Sequence, residues 1–300
     1  MIEIDRLTKR YTLNGKNALD NLSYVSDTAA PLGIIGSNGA GKSTLFMLAN
    51  GLTKPTSGKI KLFGEEVFGN SNVKKRTGLF TDKLTLYPML TVKETISFFM
   101  GIYGISFKEY KEKVRLFHID EFENSKIEDL STGMMKKVML LISILHTPSI
   151  LFLDEPFSGL DVDAKNDLSK EIRYLSNEVG IKTVISSHDL WETQGIIQDV
   201  LIIEGGRNIE SGNYQELIKK YSKTKKMQVI CKNDPEILRL REDYRMEEEY
   251  GNIKISIGLD ELHGFLSRVR RENVINIINN DMTLEDIYEE ARKHAAIGND

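Results

Sequence analysis

The stretch densest in chemistry is Gly36-Ser37-Asn38-Gly39-Ala40-Gly41-Lys42-Ser43-Thr44. Its glycines let the backbone fold into a concave nest whose N–H groups point inward at phosphate oxygens. Lys42 is placed to reach the β- and γ-phosphates of a nucleotide, and the Ser43 hydroxyl to ligate Mg²⁺. A second constellation closes the apolar run Ile150-Leu151-Phe152-Leu153, which passes straight into Asp154 and Glu155. Adjacent carboxylates at the end of a buried strand have no structural reason to be there. Asp154 is a candidate Mg²⁺ partner, directly or through water. Glu155 is a candidate to orient or deprotonate an attacking water. His188 follows the strand expected over 183–187, which puts it at the same edge and favours a role at the γ-phosphate. Tyr11 lies between two early strands, where an aromatic either stacks on a planar base or packs a strand end.

These residues need particular elements to hold them. The run Leu32-Gly33-Ile34-Ile35 reads as a buried parallel strand, and a helix begins near Lys42. Strand, glycine loop, Lys-Ser and helix together make a P-loop, with the helix amides and dipole facing the same anion. Further strands are expected over 1–7, 19–25, 59–63, 77–80, 183–187 and 200–203, with another around 208–209. Between them fall helices over 92–103 (Thr91 as cap, Glu94 in its first turn), 108–117, one opened by 130–133, then 162–179, 190–198 and 213–221. In the helix after residue 133, Val138, Leu141, Ile142 and Leu145 share a face. Strands alternating with helices predict a mostly parallel sheet. The antiparallel start and the inserted helices predict two subdomains beside it. The polar, basic stretch 222–226 is the expected linker, and beyond it the pattern turns α+β. There the expected elements are strands 227–231 and 274–278, a hairpin over 246–257, and helices 235–241, 260–271 and 284–292.

The net charge of −4 argues against a nucleic-acid binder dominated by electrostatics. A single cysteine, Cys231, excludes an intramolecular disulfide and a Cys-based metal cluster. No apolar run reaches the length of a membrane-spanning helix. The start lacks the regions of a signal peptide, so the chain reads as cytosolic.

Over about residues 1–221 these stretches resemble, in the family's motif order, the ATP-binding subunit of an ABC transporter. The resemblance implies Walker A at Gly36–Thr44, Walker B at 150–155 with Glu155 catalytic, a D-loop at 158–161 and a switch histidine at His188. Tyr11 then stacks on adenine. Leu130-Ser131-Thr132-Gly133-Met134 is similar to the signature motif, with Thr132 and Met134 departing from its usual glycine and glutamine. Ser131 and Gly133, the residues that meet a γ-phosphate, are kept. The Ser-Thr-Gly-Met form also resembles that of sodium- and drug-export ATPases. Asp82 falls about where the family has its Q-loop glutamine, and a carboxylate there can meet Mg²⁺ or its water. The ending 281–288 is similar to that of exporter ATPases with a small accessory domain.

The expected fold is thus an α/β P-loop NTPase. It has a mostly parallel central sheet, an antiparallel β subdomain, an inserted helical subdomain and a small α+β C-terminal domain. Domains are expected at 1–221 and 226–300. The resemblance implies an ATPase using ATP and Mg²⁺, paired with a second ATP-binding subunit (a copy or a paralogue). Separate transmembrane permease subunits hold it at the cytoplasmic face of the membrane, and no nucleic acid is expected. The aromatic stretch 96–105 and the region near Asp82 either dock the permease or fill the helical core. Two other readings compete: a soluble ATPase of this type acting on ribosomes or DNA, and a non-catalytic regulatory ATP-binding module. The former usually carries tandem ATPase domains or long coiled coils, which this chain lacks.

Overall fold

A computed structural model describes every residue except 188–192, 223–225, 279–281 and 298–300. The chain opens with β1 (Ile2–Lys9) and β2 (Leu19–Ser26), paired antiparallel. With β4 (Ser57–Leu62) and the two-residue β5 (Glu65–Glu66) they form a four-stranded antiparallel sheet of order β2-β1-β4-β5. Between them in sequence, β3 (Leu32–Ile35) belongs to a second, six-stranded sheet of order β10-β9-β3-β8-β7-β6. Its other members are β6 (Thr77–Thr81), β7 (Ile150–Asp154), β8 (Lys182–Ser187), β9 (Asp199–Glu204) and β10 (Arg207–Asn213). All neighbours run parallel except β10 against β9.

β3, β7 and β8 are buried along their whole length. Strands covered on both faces must be apolar nearly throughout, which is why these runs do not alternate. Register places Thr81 beside Asp154 and Asp154 beside Ser186, so the carboxyl ends form one edge. α1 (Lys42–Ala49) shares a single core with both sheets, through Leu45, Phe46, Leu48 and Ala49. The Phe46 ring meets Phe152 of β7 edge-on at 5.4 Å between centroids.

The short α2 (Ser71–Lys74), capped by Asn70, was not expected: four residues are too few to show a helical period. α3 (Val92–Tyr103) carries the expected cap. The Glu94 amide donates to Thr91 Oγ1 at 3.1 Å, and Glu94 Oε2 accepts from the Thr91 amide at 2.8 Å. Ile96 faces inward, whereas Phe98 and Ile102 are exposed, so the aromatic stretch does not simply fill the helical core. α4 (Phe107–Leu116) and α5 (Thr132–Ile144) follow. The expected face of α5 is buried, but so are Met139, Leu140 and Ile144, so its C-terminal half is enclosed all round. α6 (Val162–Asn177) starts at Asp161, whose carboxylate accepts from the Ala164 amide at 2.8 Å.

The helix expected over 190–198 falls partly outside the described residues, and residues 195–198 are not helical. The Gln198 and Asp199 amides both donate to the Pro31 carbonyl, which turns the chain into β9 instead.

The chain divides into two compact units, Met1–Tyr214 with Ala291–Asp300, and Gln215–Glu290. The expected linker lies largely outside the described residues. α7 (Tyr214–Ser222) spans the first division and α10 (Leu284–Ile297) the second. In the second unit, β11 (Lys226–Lys232), α8 (Pro235–Leu238), β12 (Arg245–Glu249), β13 (Asn252–Gly258), α9 (Leu259–Leu266) and β14 (Val274–Ile278) follow one another. They build an antiparallel sheet of order β12-β13-β11-β14, the split β-α-β arrangement of ferredoxin-like folds. β13 alternates strictly, with Ile253, Ile255 and Ile257 packing with Val229, Cys231 and Phe265 in a core of their own. α8 and α9 are shorter than the helices expected over 235–241 and 260–271. Beyond them, the Leu240 amide closes a turn on the Ile237 carbonyl, and Arg271–Asn273 form a single 3-10 turn.

Candidate active site

The loop 36–41 joins the end of β3 to α1. At Gly36 a Cβ would lie 2.3 Å from the Ile203 carbonyl oxygen, so only glycine lets the loop pass so close to β9. Gly41 has φ of 112° and is the N-cap of α1, where it offers no capping side chain. The first-turn amides of α1 are thus left for an anion. Gly39, at φ of 83°, turns the tip of the loop. Ser37 Oγ donates to the Glu204 carboxylate at 3.1 and 3.2 Å, and the Gly206 amide donates to the Ala40 carbonyl at 3.0 Å. Both bonds pin the loop to the β9–β10 turn.

A cavity of about 300 Å³ opens over this loop, lined by Ala18, Asn38, Gly39, Gly41, Lys42, Ser43, Thr44 and Glu155. Lys42 is buried, and its Nζ donates to the carbonyls of Gly36 (2.8 Å) and Ser37 (3.2 Å). The same ammonium lies 3.7 Å from Glu155 Oε1. Ser43 Oγ donates to Asp154 Oδ1 at 3.3 Å, and the Ser186 hydroxyl donates to that oxygen at 2.6 Å. Glu155 adopts a left-handed φ of 50°, and its amide donates to both the carbonyl and the hydroxyl of Ser186, each at 3.2 Å. Ser186 therefore orients both acids. Sequence reasoning passed over it, although the polar Ser-Ser end of an apolar strand at the carboxyl edge was a usable signal.

Tyr11 is 56% exposed, and its hydroxyl donates to Thr44 Oγ1 at 3.4 Å. Its ring thus lies at the P-loop helix with surface left for a planar base, and Lys9 Nζ stands 5.0 Å from its centroid. Asp82 follows β6 at the same edge but is exposed and does not line the cavity. Ser131 caps α5, accepting from the Met134 amide at 3.2 Å. A Cβ on Gly133 would come 3.2 Å from Ala164 Cβ, so the signature packs on the start of α6. Neither Ser131 nor Gly133 lines this chain's own P-loop cavity. His188 lies outside the described residues.

Among the described residues no group of three or more His, Cys, Asp or Glu side chains could hold a metal. A hydroxyl beside a carboxylate, with room for phosphate oxygens, is nevertheless a donor set that suits Mg²⁺, which takes few protein ligands and hard oxygens.

The ABC transporter family matches residues 19–158, from β2 to just past Glu155. The bacitracin transport ATP-binding protein BcrA of Bacillus licheniformis is 30% identical over 297 residues, covering 96% of each chain. A solved ATP-binding subunit of an ABC transporter is 27% identical, with a TM-score of 0.64, covering 74% of this chain and 93% of that one. A dimeric ATP-binding cassette, solved in a post-hydrolysis state with ADP and Pi, shares the fold at a TM-score of 0.64 and 21% identity. It covers 71% of this chain and 98% of its own. With a P-loop, paired acids and a signature in one chain, and relatives alike over nearly its whole length, the protein belongs to the ABC transporter ATP-binding family and is an ATPase subunit of such a transporter.

Proposed function

We propose that this chain drives export, hydrolysing MgATP between its own P-loop and the signature of a second ATP-binding subunit. The observation that carries the reading is the meeting of Ser43 with Asp154, and of Lys42 with Glu155, around one cavity. Phosphoryl transfer asks for positioning and charge neutralisation more than covalent catalysis. Lys42 and the α1 amides bind and orient the phosphates, and Ser43 and Asp154 hold Mg²⁺. When bound, the ion neutralises phosphate charge. Glu155, aimed by its left-handed backbone, orients the attacking water, and His188 acts at the γ-phosphate. Tyr11 stacks on the adenine.

That Ser131 and Gly133 do not line this chain's own cavity supports a partner in the ATP site. Ser131 and Gly133 sit at the start of a helix, ready to offer amides to a phosphate, while another subunit's cavity supplies that phosphate. The partner is a copy or a paralogue. Among the described residues no helix is long and apolar enough to cross a membrane. The proposed pathway lies in separate permease chains, which hold this subunit at the cytoplasmic face. The exposed Phe98 and Ile102 of α3 are the proposed docking surface. Residues 226–300 are the proposed accessory region, and its described residues carry no phosphate-binding motif. Export is favoured by the full-length likeness to BcrA, a bacitracin transport protein.

Glu155→Gln tests the site. The variant is expected to bind ATP as tightly as wild type, to lose turnover by about 10²-fold or more, and to accumulate ATP-dependent dimers in size-exclusion chromatography. Normal turnover by this variant would remove Glu155 from the mechanism.

A further inference from the structure

The interior of the first unit holds a cation that the reading above leaves without a task. Lys136 lies in α5, one turn beyond Gly133, and is 7% exposed. A buried ammonium is expensive unless its donors are satisfied, so its partners are informative. Its Nζ donates to the Pro156 carbonyl at 2.7 Å and to the Glu155 carbonyl at 3.3 Å, and it stands 5.9 Å from the centroid of the buried Phe80 ring. Both carbonyls belong to the turn that presents Glu155.

That turn needs holding. A left-handed φ of 50° is unfavourable for a glutamate and persists only where its surroundings impose it. On the amide side, Ser186 imposes it through its carbonyl and hydroxyl, as described above. On the carbonyl side the partner is Lys136. The Glu155 peptide is thereby clamped between β8 and α5, and its carboxylate is directed at Lys42, 3.7 Å away. The clamp is also a mechanical link. Ser131 and Gly133 stand at the head of the helix that carries Lys136, so a shift of that helix moves the donor gripping the Glu155 backbone.

We propose that Lys136 is a positioning residue for ATP hydrolysis, holding the Glu155–Pro156 turn and tying the geometry of the water-orienting carboxylate to the signature helix. The proposal rests on the assignment of Glu155 given above. Lys136 does not line the P-loop cavity, so its loss should act on the rate of chemistry rather than on binding. Misplacement of a catalytic group by about 1 Å costs on the order of 10²-fold in rate.

The test compares Lys136→Met, Lys136→Arg and Glu155→Gln in steady-state ATP hydrolysis, with ATP affinity and thermal midpoint measured on the same samples. Lys136→Met is expected to lower kcat by about tenfold or more while KM and ATP affinity stay within about twofold. Lys136→Arg, which keeps a cationic donor, is expected to restore much of the lost kcat. If Lys136→Met does not fold, the comparison moves to Lys136→Gln, whose shorter donor should give the same kcat-selective loss. The proposal is overturned if the Met or Gln variant turns over ATP within twofold of wild type. It is equally overturned if kcat and affinity fall together without rescue by Arg. Normal turnover by Glu155→Gln would instead overturn the assignment on which the proposal rests, so the two failures are distinct.

Discussion

The two ends of the parallel sheet both contain a buried lysine, and their surroundings differ. At the amino end, Lys182 begins β8, and its Nζ donates to Ser26 Oγ (2.9 Å) and to the carbonyls of Thr28 (2.7 Å) and Ala30 (3.1 Å). Burial pushes its pKa below the usual lysine value, with Asp199 and Asp27 opposing the shift. Its hydrogen-bonding capacity is spent inside the fold, where it ties β8 to the segment after β2. At the carboxyl end, Lys42 also bonds to backbone carbonyls, but it borders an open cavity beside a carboxylate and a helix start. Burial of a cation alone therefore says little about function. What makes the site is that parallel strands deliver all their following loops to one edge.

Three substitutions can break or sharpen that contrast. The largest effect is expected from Lys42→Ala, which should lower ATP turnover by about 10²-fold or more while leaving the fold intact. Phosphate release and circular dichroism on the same preparation check both parts. Lys182→Met should behave in the opposite way. Leaving oxygens at the amino end without their donor should cost about 1–3 kcal/mol of stability in urea unfolding, with ATP affinity within twofold of wild type. Loss of ATP affinity in a folded Lys182→Met protein would erase the distinction between the two ends.

The smallest effect belongs to His146, which follows α5 at the amino end, with Nε2 2.9 Å from the Thr77 carbonyl oxygen and its ring stacked on Tyr103 at 4.6 Å. Burial lowers its pKa from 6.5, a shift that Lys113 reinforces and the Thr77 bond partly opposes. Because the folded pKa is the lower one, the unfolded chain binds more protons in the window beneath about 6.5. Stability therefore rises with pH across that window and is lost as pH falls through it. His146→Gln should flatten the slope below about pH 6.5, measured by urea unfolding at each pH. An unchanged slope would mean that the acid sensitivity there comes from other groups.

What the sequence could convey follows the reach of each signal. Gly36 to Ser43 are legible because the nest, the lysine and the helix start are consecutive, and consecutive residues carry their own geometry. Asp154 and Glu155 are legible because an apolar strand ends in charge. Ser186 shows in the sequence only as a polar strand end at the carboxyl edge; that it bonds both acids depends on register between β7 and β8, which are joined through α6 and which no local pattern encodes. The same holds for Lys136, which reads as one more polar helix position until α5 is packed against the turn after β7. Likewise the strands of the second unit were visible individually, but their order β12-β13-β11-β14 is a tertiary fact. The region 195–198 misled because its apolar residues suit a helix, while the Pro31 carbonyl captures the amides that would have continued one.

The central claim is that the P-loop of this chain is half of an ATP site and that its own signature serves another. Ser131→Asp tests it most directly. Aspartate caps a helix as well as serine does, so the start of α5 and the bond now made by the Met134 amide at 3.2 Å should survive. The added negative charge would face the γ-phosphate of the opposing subunit. ATP binding to the variant chain should stay within about twofold of wild type while turnover falls by about tenfold or more. Unchanged turnover, or affinity and turnover falling in equal measure, would contradict the account, the latter by putting the signature beside the same chain's Lys42.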